Sequence, residues 1–95
     1  MKIRNFVHKG LHRLYAEGST KGLPVDCVDK LRKMLAFLDA MHDADELRAL
    51  TTWKPHTLTG SRRGTVSLSV TRNRRLTFRV STAREICDVN LEDYH

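Results

Sequence analysis

Ninety-five residues with 40% hydrophobic content make a single domain, residues 1–95, with one modest core. Two isolated cysteines, Cys27 and Cys87, exclude a disulfide scaffold and lack metal-ligand spacing, and no stretch approaches the ~20 apolar residues of a membrane span. The net charge of +6 points instead to an anionic partner, and an acidic protein that masks the basic face would fit as a second one.

The opening Met1-Lys2-Ile3-Arg4-Asn5 lacks the apolar run of a signal peptide, and the cysteines read as small buried hydrophobes, so a reducing cytoplasm is expected. Val7, Leu11, Leu14 and Tyr15 follow the spacing of one helical face, and Gly18 is the natural stop. Residues 19–22 form a loop. Pro24 and Asp26 begin a second helix, in which Cys27, Val28, Leu31, Met34, Leu35, Leu38 and Met41 make a broad apolar stripe. Lys30, Arg32 and Lys33 take its solvated side. Residues 42–45 read as a helix end or a turn, and the next ten fit no period.

After Pro55 the period drops to two. Val66, Leu68 and Val70 alternate with Thr65, Ser67 and Ser69. Arg72-Asn73-Arg74 supplies a turn, and Leu76, Phe78 and Val80 then alternate with Arg75, Thr77 and Arg79. A second turn over residues 82–85 leads to a third strand from Ile86 to Leu91. Helices first and an antiparallel meander second predict an α+β fold, two N-terminal helices packed on a C-terminal sheet. Side-chain alternation puts Arg75, Thr77 and Arg79 on the face away from the helices. If the hairpin pairs in register, Thr65, Ser67 and Ser69 join them to make a shallow positive floor.

Charge is segregated along the chain. From Leu47 to Arg84 there is no Asp or Glu, while Arg48, Lys54, Arg62, Arg63, Arg72, Arg74, Arg75, Arg79 and Arg84 fall in that window. Such a half-chain concentrates polyanions, and Arg forks grip phosphate oxygens in pairs. Lys54, Arg62, Arg63, Arg72, Arg74 and Arg79 are therefore candidate RNA-binding residues. His56 lies in the loop before the sheet, and the chain closes with Glu92-Asp93-Tyr94-His95. Imidazoles give and take protons near neutral pH. Metal-free RNA cleavage needs a base for the 2′-hydroxyl, an acid for the leaving 5′-oxygen and cations for the phosphate. His8 and His12 have the spacing of helical metal ligands, but no Glu or Cys completes the set, so no metal or cofactor is expected.

Several motifs resemble, in order and spacing, the HigB branch of the RelE-like bacterial toxins. They are Phe6-Val7-His8-Lys9-Gly10-Leu11, the stretch from Gly18 to Pro24, His56-Thr57-Leu58-Thr59-Gly60, Arg63-Gly64-Thr65-Val66-Ser67-Leu68, Asn73-Arg74-Arg75-Leu76-Thr77-Phe78 and Glu92-Asp93-Tyr94-His95. The resemblance implies a microbial-RNase-like fold. It implies ribosome-dependent mRNA cleavage in the decoding site of the 70S ribosome, and a HigA-type helix-turn-helix antitoxin as partner. Carried over by position, it makes His56, Arg75, Asp93, Tyr94 and His95 the catalytic candidates. Arg75 would hold the scissile phosphate, His56 and His95 would transfer protons, Asp93 would orient a neighbour, and Tyr94 would stack on a base or hold the phosphate.

At Thr59 the pattern departs, because better-studied members carry a Lys before the Gly. Either Arg62, Arg63 or Lys54 supplies that charge, or the toxin is weak. Two other readings stand beside this one: a non-catalytic nucleic-acid-binding module, and a weakened toxin that serves mainly as co-repressor with its antitoxin.

Overall fold

The computed structural model describes residues 1–93, so Tyr94 and His95, two of the catalytic candidates, lie outside the described residues. Helix α1 spans Lys9–Glu17 and α2 spans Val28–Ala40. Strands β1 (His56–Thr57), β2 (Thr65–Thr71), β3 (Arg74–Val80) and β4 (Ile86–Asp93) form one antiparallel sheet in the order β1-β2-β3-β4. The α+β order is the expected one. The sheet has one strand more than the sequence pattern gives, because a two-residue β1 is too short to show a period.

The first helix starts later than its apolar spacing suggests. Residues Ile3 and Phe6 instead bridge in parallel to Ile86 and Val89, so the N-terminal segment runs beside β4. That segment leaves Val7 59% exposed, ahead of the helix rather than on its apolar face. His8 caps α1, its Nδ1 accepting from the Leu11 amide at 3.2 Å. Burial pushes the His8 imidazole pKa down, which favours the neutral form that has an acceptor to offer. Gly10 is needed here: a Cβ on it would come within 2.9 Å of the His8 ring and 3.1 Å of Leu23. Gly18 closes the helix in the left-handed region at φ 72°, its amide bonded back to the Leu14 carbonyl.

Leu11 and Leu14 of α1 join Leu31, Met34, Leu35 and Leu38 of α2 over the inner face of the sheet. Leu68, Val70, Leu76, Phe78, Ile86 and Val89 supply that face and are buried. Burial of each such side chain is worth roughly 1.5–3 kcal/mol. The region without a clear period, residues 44–53, forms two short 3-10 helices, Ala44–Ala49 and Thr51–Trp53. A capping box begins the first: Asp43 accepts from the Asp45 amide, and Glu46 accepts from the His42 and Asp43 amides. Trp53 meets Phe37 edge-on, which ties this segment to α2. Both α-helices thus pack on the inner face of the sheet.

Candidate active site on the outer sheet face

Antiparallel register fixes which side chains share the outer face. His56 lies opposite Ser67, Ser67 opposite Thr77, and Thr77 opposite Asn90, a polar row across all four strands. In the next row Ser69 lies opposite Arg75, and Arg75 opposite Glu92. The expected hydroxyl row is therefore present, but it is no open floor. Thr65, Ser67 and Thr77 are buried, roofed by the longer side chains around them. Short hydroxyls lie at the bottom, and Arg, His and Glu make the walls.

Those walls enclose a cleft of about 370 Å³. Lys54, His56, Leu58, Arg62, Arg75, Glu92 and Asp93 line it, together with Ser67 and Thr77. Lys54 reaches it from a left-handed backbone position, φ 48°, at the end of the second 3-10 helix. The Arg75 guanidinium is half-buried. Its Nη1 donates to Ser69 Oγ at 3.2 Å and to the Thr71 carbonyl at 3.1 Å, which fixes its height above the sheet.

Glu92 is the acid in this cleft that sequence reasoning passes over in favour of Asp93. Arg62 grips it with both guanidinium arms, at 2.9 and 2.5 Å, and the Thr77 hydroxyl donates to the same carboxylate. The Arg62 hydrogen bonds hold the Glu92 carboxyl below the usual range, against the opposing effect of burial, with Thr77 adding to the depression. The signal was available: Glu92 stands two places beyond Asn90 on β4, so it must share the face of Arg75.

Asp93 accepts from Arg74 Nη1 at 2.6 Å, so these two charges offset each other at the rim. Arg72 and Arg63 are exposed outside the cleft, and Arg79 lies farther along β3, its Nη1 donating to the Arg63 carbonyl at 3.3 Å. Of the sequence candidates, His56, Lys54, Arg62, Arg75 and Asp93 come together in one cavity. Arg74 touches it only through Asp93, and Arg63, Arg72 and Arg79 lie outside its lining. Chemically, the cleft offers an imidazole, cations of fixed position and a carboxylate, the set a phosphodiester transfer draws on. Among the described residues no helix is long and apolar enough to cross a membrane.

A family model of RelE-like HigB toxins from type II toxin–antitoxin systems matches residues 4–95. The chain is also 37% identical, over 93 residues, to the Endoribonuclease HigB of Proteus vulgaris, a match covering 98% of this chain and 99% of that protein.

Proposed function

The chain belongs to the HigB-like family of RelE-like toxins of type II toxin–antitoxin systems, and from that premise we propose that it is an endoribonuclease that cuts mRNA on the ribosome. The observation that carries this reading is the convergence of His56 and Arg75 in one cleft on the outer sheet face. The partners are a HigA-type antitoxin, mRNA and the 70S ribosome, and the site of action is the cytoplasm.

One imidazole takes the proton of the 2′-hydroxyl, and the freed oxygen attacks the adjacent phosphorus. The bond from phosphorus to the 5′-oxygen breaks, and a second acid protonates that oxygen. The products are a 2′,3′-cyclic phosphate and a 5′-hydroxyl end. His56 and His95 are the proton-transfer pair, and Tyr94 stacks on a base or holds the phosphate. Arg75 neutralises charge building on the phosphate oxygens, with Lys54 beside it.

One observation favours a slower version of this enzyme. Arg62, the nearest cation to the departing Thr59 position, is engaged by Glu92, so its charge is largely spent within the protein. A toxin weakened in this way acts mainly as co-repressor with its antitoxin.

The test is single-turnover cleavage of mRNA on programmed ribosomes. Arg75→Ala is expected to remain folded and to lose about a hundredfold or more in rate, the usual cost of removing one charge-stabilising group. A folded Arg75→Ala protein cutting at the parent rate would refute the assignment.

A further inference from the structure

The cleft is one end of a longer feature. A second depression shares Arg62, Thr77 and Glu92 with it and continues over Val7 and Asn90 to Arg79 and Asp88. A third, of about 650 Å³, shares Arg79 and Asp88 and ends at Arg4, Ser81 and Thr82. Together they make one groove across the outer face of the sheet, from His56 to the N-terminal segment.

The two ends differ in charge chemistry. Near the cleft, Arg62 and Arg74 are paired with Glu92 and Asp93. At the far end Arg4 and Arg79 are exposed, and neither makes an ion pair among the described residues. One acid, Asp88, lines that depression with them. Its carboxylate accepts from Asn5 Nδ2 at 2.9 Å, and its amide donates to Asn5 Oδ1 at 3.1 Å. Two arginines against one aspartate leave the far end positive. Both cations are held from the backbone: Arg79 by the centre of the sheet, and Arg4 by its amide on the Ile86 carbonyl at 2.7 Å. Arg75 and Arg79, four residues apart on β3, have Cα atoms about 13 Å apart. A strand stacked in a duplex rises about 3.4 Å per phosphate, and an extended one covers more but still well under that distance, so more than one nucleotide spans it.

We propose that Arg4 and Arg79 form a second phosphate subsite, which holds the RNA backbone at a phosphate more than one nucleotide away from the scissile one. This rests on the reading of the cleft as the RNA-cleaving site. Exposed Val7 between the two ends gives the intervening sugar or base an apolar contact, and the Thr82 hydroxyl offers a sugar partner at the rim. The subsite makes binding depend on RNA length: a short oligonucleotide occupies the cleft alone, and a longer one engages both ends.

The experiment measures anisotropy of cleavage-resistant 2′-O-methyl oligoribonucleotides, a trinucleotide and a decanucleotide, against the full chain at several salt concentrations. Arg4→Ala and Arg79→Gln are expected to weaken the decanucleotide severalfold and to lower its salt slope by about 0.7 each, the release expected for one single-strand phosphate. They are expected to affect the trinucleotide far less. Arg13→Ala removes the same charge from α1, outside the groove, and serves as control. If Arg4→Ala and Arg79→Gln match Arg13→Ala while Arg75→Ala weakens both ligands, the subsite is wrong and the cleft reading stands. Equal losses in all the arginine variants mean diffuse attraction and also overturn the subsite. A parent protein that binds neither oligonucleotide at low salt overturns the subsite, while the cleft reading stands or falls with Arg75→Ala in the ribosomal cleavage assay.

Discussion

Thr59 sets the charge of the cleft by what it is not. It is exposed and next in sequence to Leu58 of the cleft lining. Arg62 is the nearest substitute cation, yet Glu92 holds it with two hydrogen bonds. Thr59→Lys is therefore expected to raise the single-turnover cleavage rate, by about tenfold or more, since a cation beside a developing anion is worth a few kcal/mol in a dry site. A Thr59→Lys protein no faster than the parent, with a severe defect in Arg62→Ala, would instead make Arg62 the working cation. Glu92→Gln probes the same pair through stability. The folded Glu92 carboxyl titrates below its unfolded value, so the pair stabilises the fold above the ordinary glutamate pKa of about 4.3 and loses that contribution as pH falls through the lower folded value. Arg62 is half exposed, which keeps the contribution to about 1 kcal/mol or less. Denaturant titrations from pH 6 to 3 should show a shallower acid decline for Glu92→Gln than for the parent; an unchanged decline would remove Glu92 as a contributor.

At the scale of elements, the end of α1 hangs on one residue. Gly18 sits at φ 72°, and a Cβ added to it would have nothing within 4 Å, so an alanine there meets backbone strain alone. Gly18→Ala is expected to cost about 1–2 kcal/mol in equilibrium unfolding, and Gly18→Asn less, because Asn tolerates the left-handed region. Equal stability of all three would contradict the capping account. This stop was legible because only glycine is at ease in that conformation. The strands were legible because Leu76 and Phe78 face a covered layer while Arg75 and Thr77 do not. What the sequence hid has physical reasons. Val7 looks helical by spacing, but pairing beside β4 takes that stretch first. The burial of Ser67 and Thr77 comes from side chains contributed by other strands, which no local period records. The Arg62–Glu92 pair joins residues thirty apart in sequence, and it forms only when the 3-10 turn Gly60–Arg62, between β1 and β2, meets β4 in the fold. His56 and Arg75 were identifiable as residues; that they share a cavity followed from the pairing of β1 with β2 and of β2 with β3.

The whole molecule presents many cations and little acid–base machinery. From the stretch between Leu47 and Arg84, Lys54, Arg62 and Arg75 line a cleft of about 370 Å³, near the small end for ligand sites. Among the described residues His56 is the one imidazole lining it. Such a surface can gather RNA, but the in-line geometry of a 2′-hydroxyl, phosphorus and leaving oxygen must come from a strand already held in shape. Orientation of this kind can contribute up to about 7–11 kcal/mol, more than any single side chain in the cleft can supply. On the proposed function, a ribosome that holds its mRNA would supply it, while the basic face would bind the surrounding ribosomal RNA. The expected outcome is that translated mRNA is cut at least a hundredfold faster than the same mRNA free in solution, measured at equal enzyme in a reconstituted translation system. Raising the salt should slow the ribosomal reaction steeply, because binding through phosphate contacts releases counterions. Rapid digestion of naked RNA at low enzyme would mean instead that the cleft orders its own substrate, and the ribosome would lose its place in the mechanism.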